Sequence, residues 1–118
     1  MQSTILLDRN AFFLAGLRRT LEPSQAFEIK GVSQTQEGAL TLVADAKPAV
    51  ILTGLNLVRP DNAASFIAAL HERSPASRIV AFLTPEHDPE MSGCLQAAGA
   101  ALCLSRYATP EELAAALN

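Results

Sequence analysis

Short apolar runs alternate along the chain with longer segments in which apolar residues recur every three to four positions. The short runs are typical of buried strands, and the helical period of the longer segments is typical of amphipathic helices. The pattern predicts five strands, over residues 4–7, 27–32, 49–53, 78–83 and 101–105. It also predicts five helices, over residues 10–21, 34–46, 61–73, 89–98 and 109–118.

The strict alternation of strands and helices predicts an α/β fold in which helices cover both faces of a parallel sheet. Right-handed crossovers leave few topologies, and we expect the flavodoxin-like, doubly wound arrangement with strand order 2-1-3-4-5. With 118 residues, the chain is expected to form a single domain with one sizeable core. In such folds, functional sites lie at the carboxyl ends of the strands near the switch point between strands 1 and 3.

Local signals mark several helix ends. Asn10 is the predicted N-cap of the first helix, and Asp61 is the predicted N-cap of the third. Gly99 is expected to end the fourth helix in a left-handed conformation. Thr109 is followed by a proline and then, three residues on, by Glu112, which predicts a capping box at the start of the last helix.

Charge and hydropathy exclude some functions. The chain has nine Lys and Arg residues and twelve Asp and Glu residues, which gives a formal net charge of −3. The basic residues are scattered along the sequence. This distribution is unlike the concentrated positive surface that nucleic-acid binding needs. No apolar segment is long enough to span a bilayer, and the first residues do not resemble a signal peptide. We therefore expect a cytoplasmic domain that makes no membrane contact and does not bind DNA by itself.

Cysteines and histidines give no catalytic pattern. Cys94 and Cys103 lie in apolar segments without CxxC spacing, so both are expected to be buried, reduced thiols. His71 and His87 lie on separate elements and are expected to be solvated surface residues. The sequence does not suggest the partners that a catalytic dyad or triad would need.

Candidate chemistry lies where the predicted strands end, at Asp8, Arg9, Gly54, Thr84 and Arg106. No glycine-rich loop follows the first strand, which argues against a phosphate-binding or dinucleotide-binding cradle. Asp8 could offer an oxygen to a hard cation, or it could cap a helix or pair with an arginine. The fixed charge of Arg9 opposes a metal. Thr84 is interpreted as a turn residue, and Arg106 could bind a phosphate or carboxylate.

Three stretches carry a family resemblance: "ILLDRNAFFLAGLRRTLE", "KPAVILTGLNLVRPDNA" and "AAGAALCLSRYATPEELAAAL". Together they resemble a response-regulator receiver domain, in particular the LuxR/NarL-type receivers that precede a helix-turn-helix DNA-binding domain. The resemblance covers essentially the whole chain. The last stretch is the most specific, because its turn, strand, basic residue and Thr-Pro-Glu-Glu helix start recur at family spacing.

The resemblance implies a site that is no longer complete. Such receivers accept a phosphoryl group on an aspartate after strand 3, with magnesium on an acidic pair, and read it with a hydroxyl, a lysine and a switch aromatic. The matching positions here are Asp8 and Arg9 for the acidic pair, Gly54 for the acceptor, Thr84 for the hydroxyl, Cys103 for the aromatic and Arg106 for the lysine. The resemblance therefore implies a degenerate receiver, or pseudo-receiver, with no catalytic residue, metal or cofactor. We further hypothesise that Arg9 pairs with Asp8 in the region a metal would fill.

The resemblance implies a regulatory and dimerisation module of a transcriptional regulator, excised from a longer chain with a C-terminal helix-turn-helix domain. DNA is expected to be contacted only through that missing domain, and a partner histidine kinase is not expected. A homodimer is expected through the helix 4–strand 5–helix 5 face or through helices 1 and 5. The alternatives are a sensor of a small anion that uses Arg9 and Arg106, a stand-alone interaction adaptor, or phosphotransfer through another acid such as Asp61.

Overall fold

The computed structural model describes residues 1–85, 87 and 89–117. In this part of the chain, five strands form one parallel sheet in the order β2-β1-β3-β4-β5, which confirms the predicted flavodoxin-like topology. The strands are β1 (Gln2–Leu7), β2 (Phe27–Ser33), β3 (Val50–Thr53), β4 (Arg78–Leu83) and β5 (Leu102–Ser105). Of the helices that the structure describes, none is long and apolar enough to cross a membrane.

The helices follow the predicted order, and each begins within about two residues of its expected start. They are α1 (Ala11–Leu21), α2 (Gln36–Ala46), α3 (Ala63–Arg73), α4 (Met91–Ala98) and α5 (Pro110–Leu117). Asn10 caps α1 as predicted, because its side chain accepts hydrogen bonds from the amides of Phe12 and Phe13. The capping box at α5 is also confirmed: the Glu112 amide donates to Thr109 Oγ1 (3.1 Å), and the Thr109 amide donates to Glu112 Oε1 (3.4 Å).

The prediction for the start of α3 was wrong. Asp61 does not cap this helix but lies inside a 3₁₀ turn, Pro60–Asn62, and its carboxylate is 3.8 Å from Arg59 Nε. Proline at the start of this turn fixes a helical φ early, so the chain first winds into a tight turn and α3 begins only at Ala63. Gly99 does end α4, with φ +129°, as expected for a glycine at this position.

The core consists of two apolar layers, one on each face of the sheet. Successive residues of a strand point to opposite faces, so Ile5 and Ile51 belong to one layer and Leu6 and Leu52 to the other. The first layer packs against α2, α3 and α4, and the second against α1 and α5. All four residues of β3 are buried, which explains why its sequence is a continuous apolar run instead of an alternating pattern.

The predicted burial of the cysteines was wrong for Cys94, which is exposed, while Cys103 is half-buried. On α4 the buried position is Leu95, and Cys94 lies beside it on the outer side of the helix. The stripe that α4 buries is narrower than its apolar composition suggests. His71 is exposed on α3, as predicted.

Candidate functional site at the carboxyl ends of the strands

The ends of β1, β3, β4 and β5 meet at one edge of the sheet, and the sheet hydrogen bonds continue past them. The Gly54 amide donates to the Leu7 carbonyl (2.8 Å), and the Arg106 amide donates to the Leu83 carbonyl (2.7 Å). These bonds fix the backbone at the positions that the sequence singled out. As a result, Asp8, Gly54 and Arg106 lie in direct contact.

Asp8 is fully buried, and its carboxylate is completely hydrogen-bonded. Arg106 donates to both carboxylate oxygens, with Nη1 2.5 Å from Oδ2 and Nη2 2.9 Å from Oδ1. Oδ1 also accepts from the Asn10 amide (2.8 Å) and from Asn56 Nδ2 (2.9 Å). A buried carboxylate needs this degree of compensation, since a charge moved out of water is stable only when it is paired and hydrogen-bonded.

Arg106 is held on a second side by aromatic rings. Its guanidinium carbon lies 3.8 Å from the centroid of the Phe13 ring, and that ring meets Phe82 edge to face at 5.2 Å. The side chain of Arg106 is only 15% exposed. The hydrogen bonds to Asp8 raise the pKa of Arg106 above its ordinary value, although burial acts in the opposite direction. The guanidinium is therefore a permanent positive charge at this site.

Gly54 makes room for this ion pair. A Cβ atom built on Gly54 would lie 1.9 Å from Asp8 Oδ2 and 2.9 Å from Arg106 Nη1. Both distances are too short for any side chain to fit without moving the pair. The Asp8 carboxylate can therefore occupy this position only because residue 54 has no side chain.

The hypothesis that Arg9 pairs with Asp8 was wrong. Arg9 is exposed, and no salt bridge of its side chain is found in the described part of the chain. Its backbone amide donates to Asn56 Oδ1 at 2.9 Å. Arg9 lies in the bend that follows β1, where its side chain is exposed, whereas the side chain of Asp8 is fully buried. Arg106, which is distant in sequence, supplies the cation.

Thr84 and His87 form a contact that the sequence did not predict. The Thr84 amide donates to His87 Nδ1 (2.8 Å), and the Thr84 hydroxyl lies 3.0 Å from the same nitrogen. The His87 amide closes the turn by donating to the Thr84 carbonyl (3.0 Å). His87 is half-buried, so its assignment as a solvated surface residue was wrong. The turn was predictable from the Thr-Pro start, but the side-chain contact was not.

Asn10 and Asn56 are the site residues that sequence reasoning missed. Asn10 was recognised as a cap, but its amide also donates to Asp8. Asn56 bridges two neighbouring residues, because its Nδ2 donates to Asp8 and its Oδ1 accepts from the Arg9 amide. The sequence signal that could have identified Asn56 as a site residue was its position two residues after Gly54. Cys103 lies on β5, and its thiol is 3.9 Å from the Ser92 carbonyl of α4.

A cavity of about 550 Å³ opens above this cluster. Polar side chains that line it come from Asn10, Asn56, Thr84, His87 and Arg106, and the remaining wall is apolar. No carboxylate is among the described lining residues. The described lining of this cavity is therefore rich in hydrogen-bond donors.

The residues at this edge do not fit a magnesium ion. Magnesium in proteins is held by one or two carboxylates together with water and phosphate oxygens. Of the described residues at this edge, Asp8 is the one that offers a carboxylate, and its two oxygens already accept from four donor atoms. Two of these donors belong to Arg106, whose positive charge opposes a metal ion. Among the residues that the structure describes, no group of three or more His, Cys, Asp or Glu side chains could hold a metal.

Solved structures with the same fold are response-regulator receivers. The receiver domain of the response regulator NarL from Mycobacterium tuberculosis superposes with a TM-score of 0.86 at 22% identity, covering 98% of this chain and 92% of that one. A LuxR-family response regulator from Aurantimonas sp. SI85-9A1 gives 0.86 at 20% identity, with 99% and 82% covered. A response regulator from Burkholderia pseudomallei, solved with a phosphorylated aspartic acid, a calcium ion and citrate, gives 0.83 at 26% identity, with 100% and 67% covered.

No family model matches the sequence, and no curated protein matches it either. The chain nevertheless has the receiver-domain fold of response regulators.

Proposed function

We propose that this receiver-like domain is a regulatory module that works without aspartyl phosphorylation, as part of a transcriptional regulator in the cytoplasm. One observation carries the proposal: the buried Asp8–Arg106 pair lies directly against Gly54, in the space that a side chain at position 54 would need. The resemblance assigns the phosphoryl acceptor to this position. A glycine has no group that can accept a phosphoryl group.

The other parts that phosphoryl transfer requires are already engaged. Catalysis of this reaction consists largely of positioning and of neutralising the charge on the transferring group. Here the carboxylate of Asp8 and the guanidinium of Arg106 neutralise each other. Thr84, at the position of the hydroxyl that reads the phosphate, is bonded to His87. We therefore propose a module that acts by contact and is not an enzyme.

Phosphotransfer through Asp61 has little structural support. The side chain of Asp61 is 76% exposed and pairs with Arg59. It lines a different cleft, formed with α4. Asp61 itself does not line the strand-end cavity, although the preceding Pro60 does.

We propose that the module forms a homodimer, and the surface of α1 and α5 is favoured over the face of α4, β5 and α5. Phe12 on α1 is 90% exposed, and it borders a cavity of about 240 Å³ between α1 and α5. Aromatic residues are enriched at protein–protein interfaces. Gly16 lines the same cavity, and three further small residues are exposed on these two helices, which permits close helix approach: Ala15, Ala114 and Ala115.

Charge also favours an antiparallel arrangement of the two copies on this surface. Both helices run in the same direction, because both return across a parallel sheet. The first turn of α5 is acidic, with Glu111 and Glu112, and the last turn of α1 is basic, with Arg18 and Arg19. A two-fold axis across the helices brings the acidic end of one copy to the basic end of the other.

We propose that DNA is bound by a C-terminal helix-turn-helix domain of a longer regulator, and not by this module. The basic residues of this segment are scattered and its net charge is −3, so the module itself offers no electrostatic footprint for DNA.

Incubation with acetyl phosphate and magnesium, followed by intact-mass measurement, tests the proposed function. We expect no covalent phosphoryl adduct on this chain under conditions in which a conventional receiver, used as a positive control, is fully labelled. An adduct that maps to any aspartate of the chain would overturn the proposal.

A further inference from the structure

We propose that the strand-end cavity binds a small oxyanion, a carboxylate or phosphate compound, noncovalently. This inference rests on the proposed function, because a conventional phosphorylation site would use the same edge of the sheet for chemistry. The cavity has a volume of about 550 Å³, which is within the range of pockets that hold metabolites.

The tautomer of His87 is fixed by its partner. A backbone N–H can only donate, so the bond from the Thr84 amide requires a lone pair on His87 Nδ1. In the neutral ring the proton then resides on Nε2. Since His87 lines the cavity and Nδ1 is engaged, Nε2–H is the group left for a ligand.

In the described lining, Asn10 and Arg106 offer further donors, whereas Asn56 does not. Both carboxamide functions of Asn56 are engaged, with Asp8 and with the Arg9 amide. The Asn10 side-chain oxygen is taken by the Phe12 and Phe13 amides, which leaves its NH₂ group. Arg106 has five N–H bonds and uses only part of them on Asp8.

Among the residues that the structure describes, the lining of this cavity offers donors and no carboxylate, and such a lining selects ligands that accept hydrogen bonds. The charge of Asp8 is neutralised by Arg106 and is fully buried, so it does not repel an anion strongly. Hydrogen bonds to a charged acceptor are stronger than neutral ones and favour oxyanions over neutral ligands. The apolar part of the wall, which includes Leu55 and Phe82, fits the carbon skeleton of such a compound.

The test is calorimetric titration with citrate and, separately, with inorganic phosphate at constant ionic strength. Neither probe can phosphorylate the protein, so the signal is independent of covalent chemistry. The key variant is His87→Asn, which keeps an acceptor near the Nδ1 position for the Thr84 amide but removes the Nε2 donor. The matched control is His71→Asn, since His71 is exposed on α3 and does not line this cavity.

We expect saturable binding of at least one probe, and a loss of about tenfold in affinity for His87→Asn, as for one hydrogen bond to a charged group. His71→Asn should bind as the wild type does, and the probe that binds identifies the class as carboxylate or phosphate. The inference is overturned if neither probe binds, or if both histidine variants lose affinity equally. Those results leave the proposed function intact, because only an acyl-phosphate adduct contradicts it.

Discussion

At the scale of the residue, Gly54 has a structural role that follows from its lack of a side chain. Its lack of a side chain lets the Asp8 carboxylate and the Arg106 guanidinium meet against the backbone. The sequence alone could identify Asp8, Gly54 and Arg106 as candidates, because each follows the end of a predicted strand. It could not identify which arginine pairs with Asp8, since the contact joins residues that are 98 positions apart.

Replacement of Gly54 by alanine should destabilise the fold. The added Cβ would lie 1.9 Å from Asp8 Oδ2, so the buried pair must move or break. We expect a loss of about 3 kcal/mol in the free energy of unfolding, measured by urea denaturation. Gly93→Ala is the control, because no atom lies within 4 Å of a Cβ at that position of α4, and it should be neutral or stabilising.

Removal of Arg106 should cost far more than removal of a surface arginine. Arg106→Ala leaves the Asp8 carboxylate buried without its cation, and we expect a loss of about 3–5 kcal/mol. Arg18→Ala breaks an exposed pair with Glu22 and should cost less than about 1 kcal/mol. Equal losses for the two variants in urea denaturation would show that the buried pair has no special role.

The pH dependence of the Arg106 contribution has a definite sign. The pKa of Arg106 is raised in the folded state. The contribution of its charge to the free energy of unfolding is therefore complete below the ordinary pKa of arginine, and it is lost only as the pH rises through the pKa of the folded state. Both values lie far above neutrality. The stability difference between wild type and Arg106→Ala should therefore stay constant between about pH 7 and pH 9.

At the scale of the element, the apolar pattern was sufficient for the topology, because each strand and helix has its own periodic signal. Helix ends were predictable where a cap and its partners lie next to each other in sequence, as at Asn10 and Thr109. Asp61 shows where this reasoning fails. A good capping residue does not cap when a neighbouring proline starts a 3₁₀ turn.

The sequence suggested Thr109 and Asp61 as helix caps, and we expect the two residues to contribute differently to the free energy of unfolding. Thr109→Ala removes a reciprocal capping box and should cost about 1 kcal/mol in thermal or urea unfolding. Asp61→Ala removes only an exposed, long ion pair and should change stability by less than about 0.5 kcal/mol. A larger loss for Asp61→Ala than for Thr109→Ala would contradict the structural assignment of these helix starts.

At the scale of the whole molecule, the proposed regulation depends on which surface forms the dimer. The same substitution can be placed on both candidate surfaces, since Ala15 on α1 and Ala97 on α4 are both exposed. We expect Ala15→Glu to abolish the proposed homodimer in light scattering and sedimentation, because it would introduce charge between the helices that pack together in that dimer. Ala97→Glu should leave the dimer intact, and the opposite result would favour the α4 face.

The central claim is that the Asp8–Arg106 pair and Gly54 together exclude aspartyl phosphorylation. The most direct measurement is intact-mass labelling by acetyl phosphate and magnesium of three folded proteins: wild type, Gly54→Asp, and the triple variant Gly54→Asp/Arg9→Asp/Arg106→Lys. We predict that wild type stays unlabelled because Gly54 has no acceptor group, and that the single variant stays unlabelled because it still has arginines at positions 9 and 106 and no second acid beside Asp8. The triple variant should be labelled at position 54. Labelling of the Gly54→Asp single variant at position 54 would contradict the account.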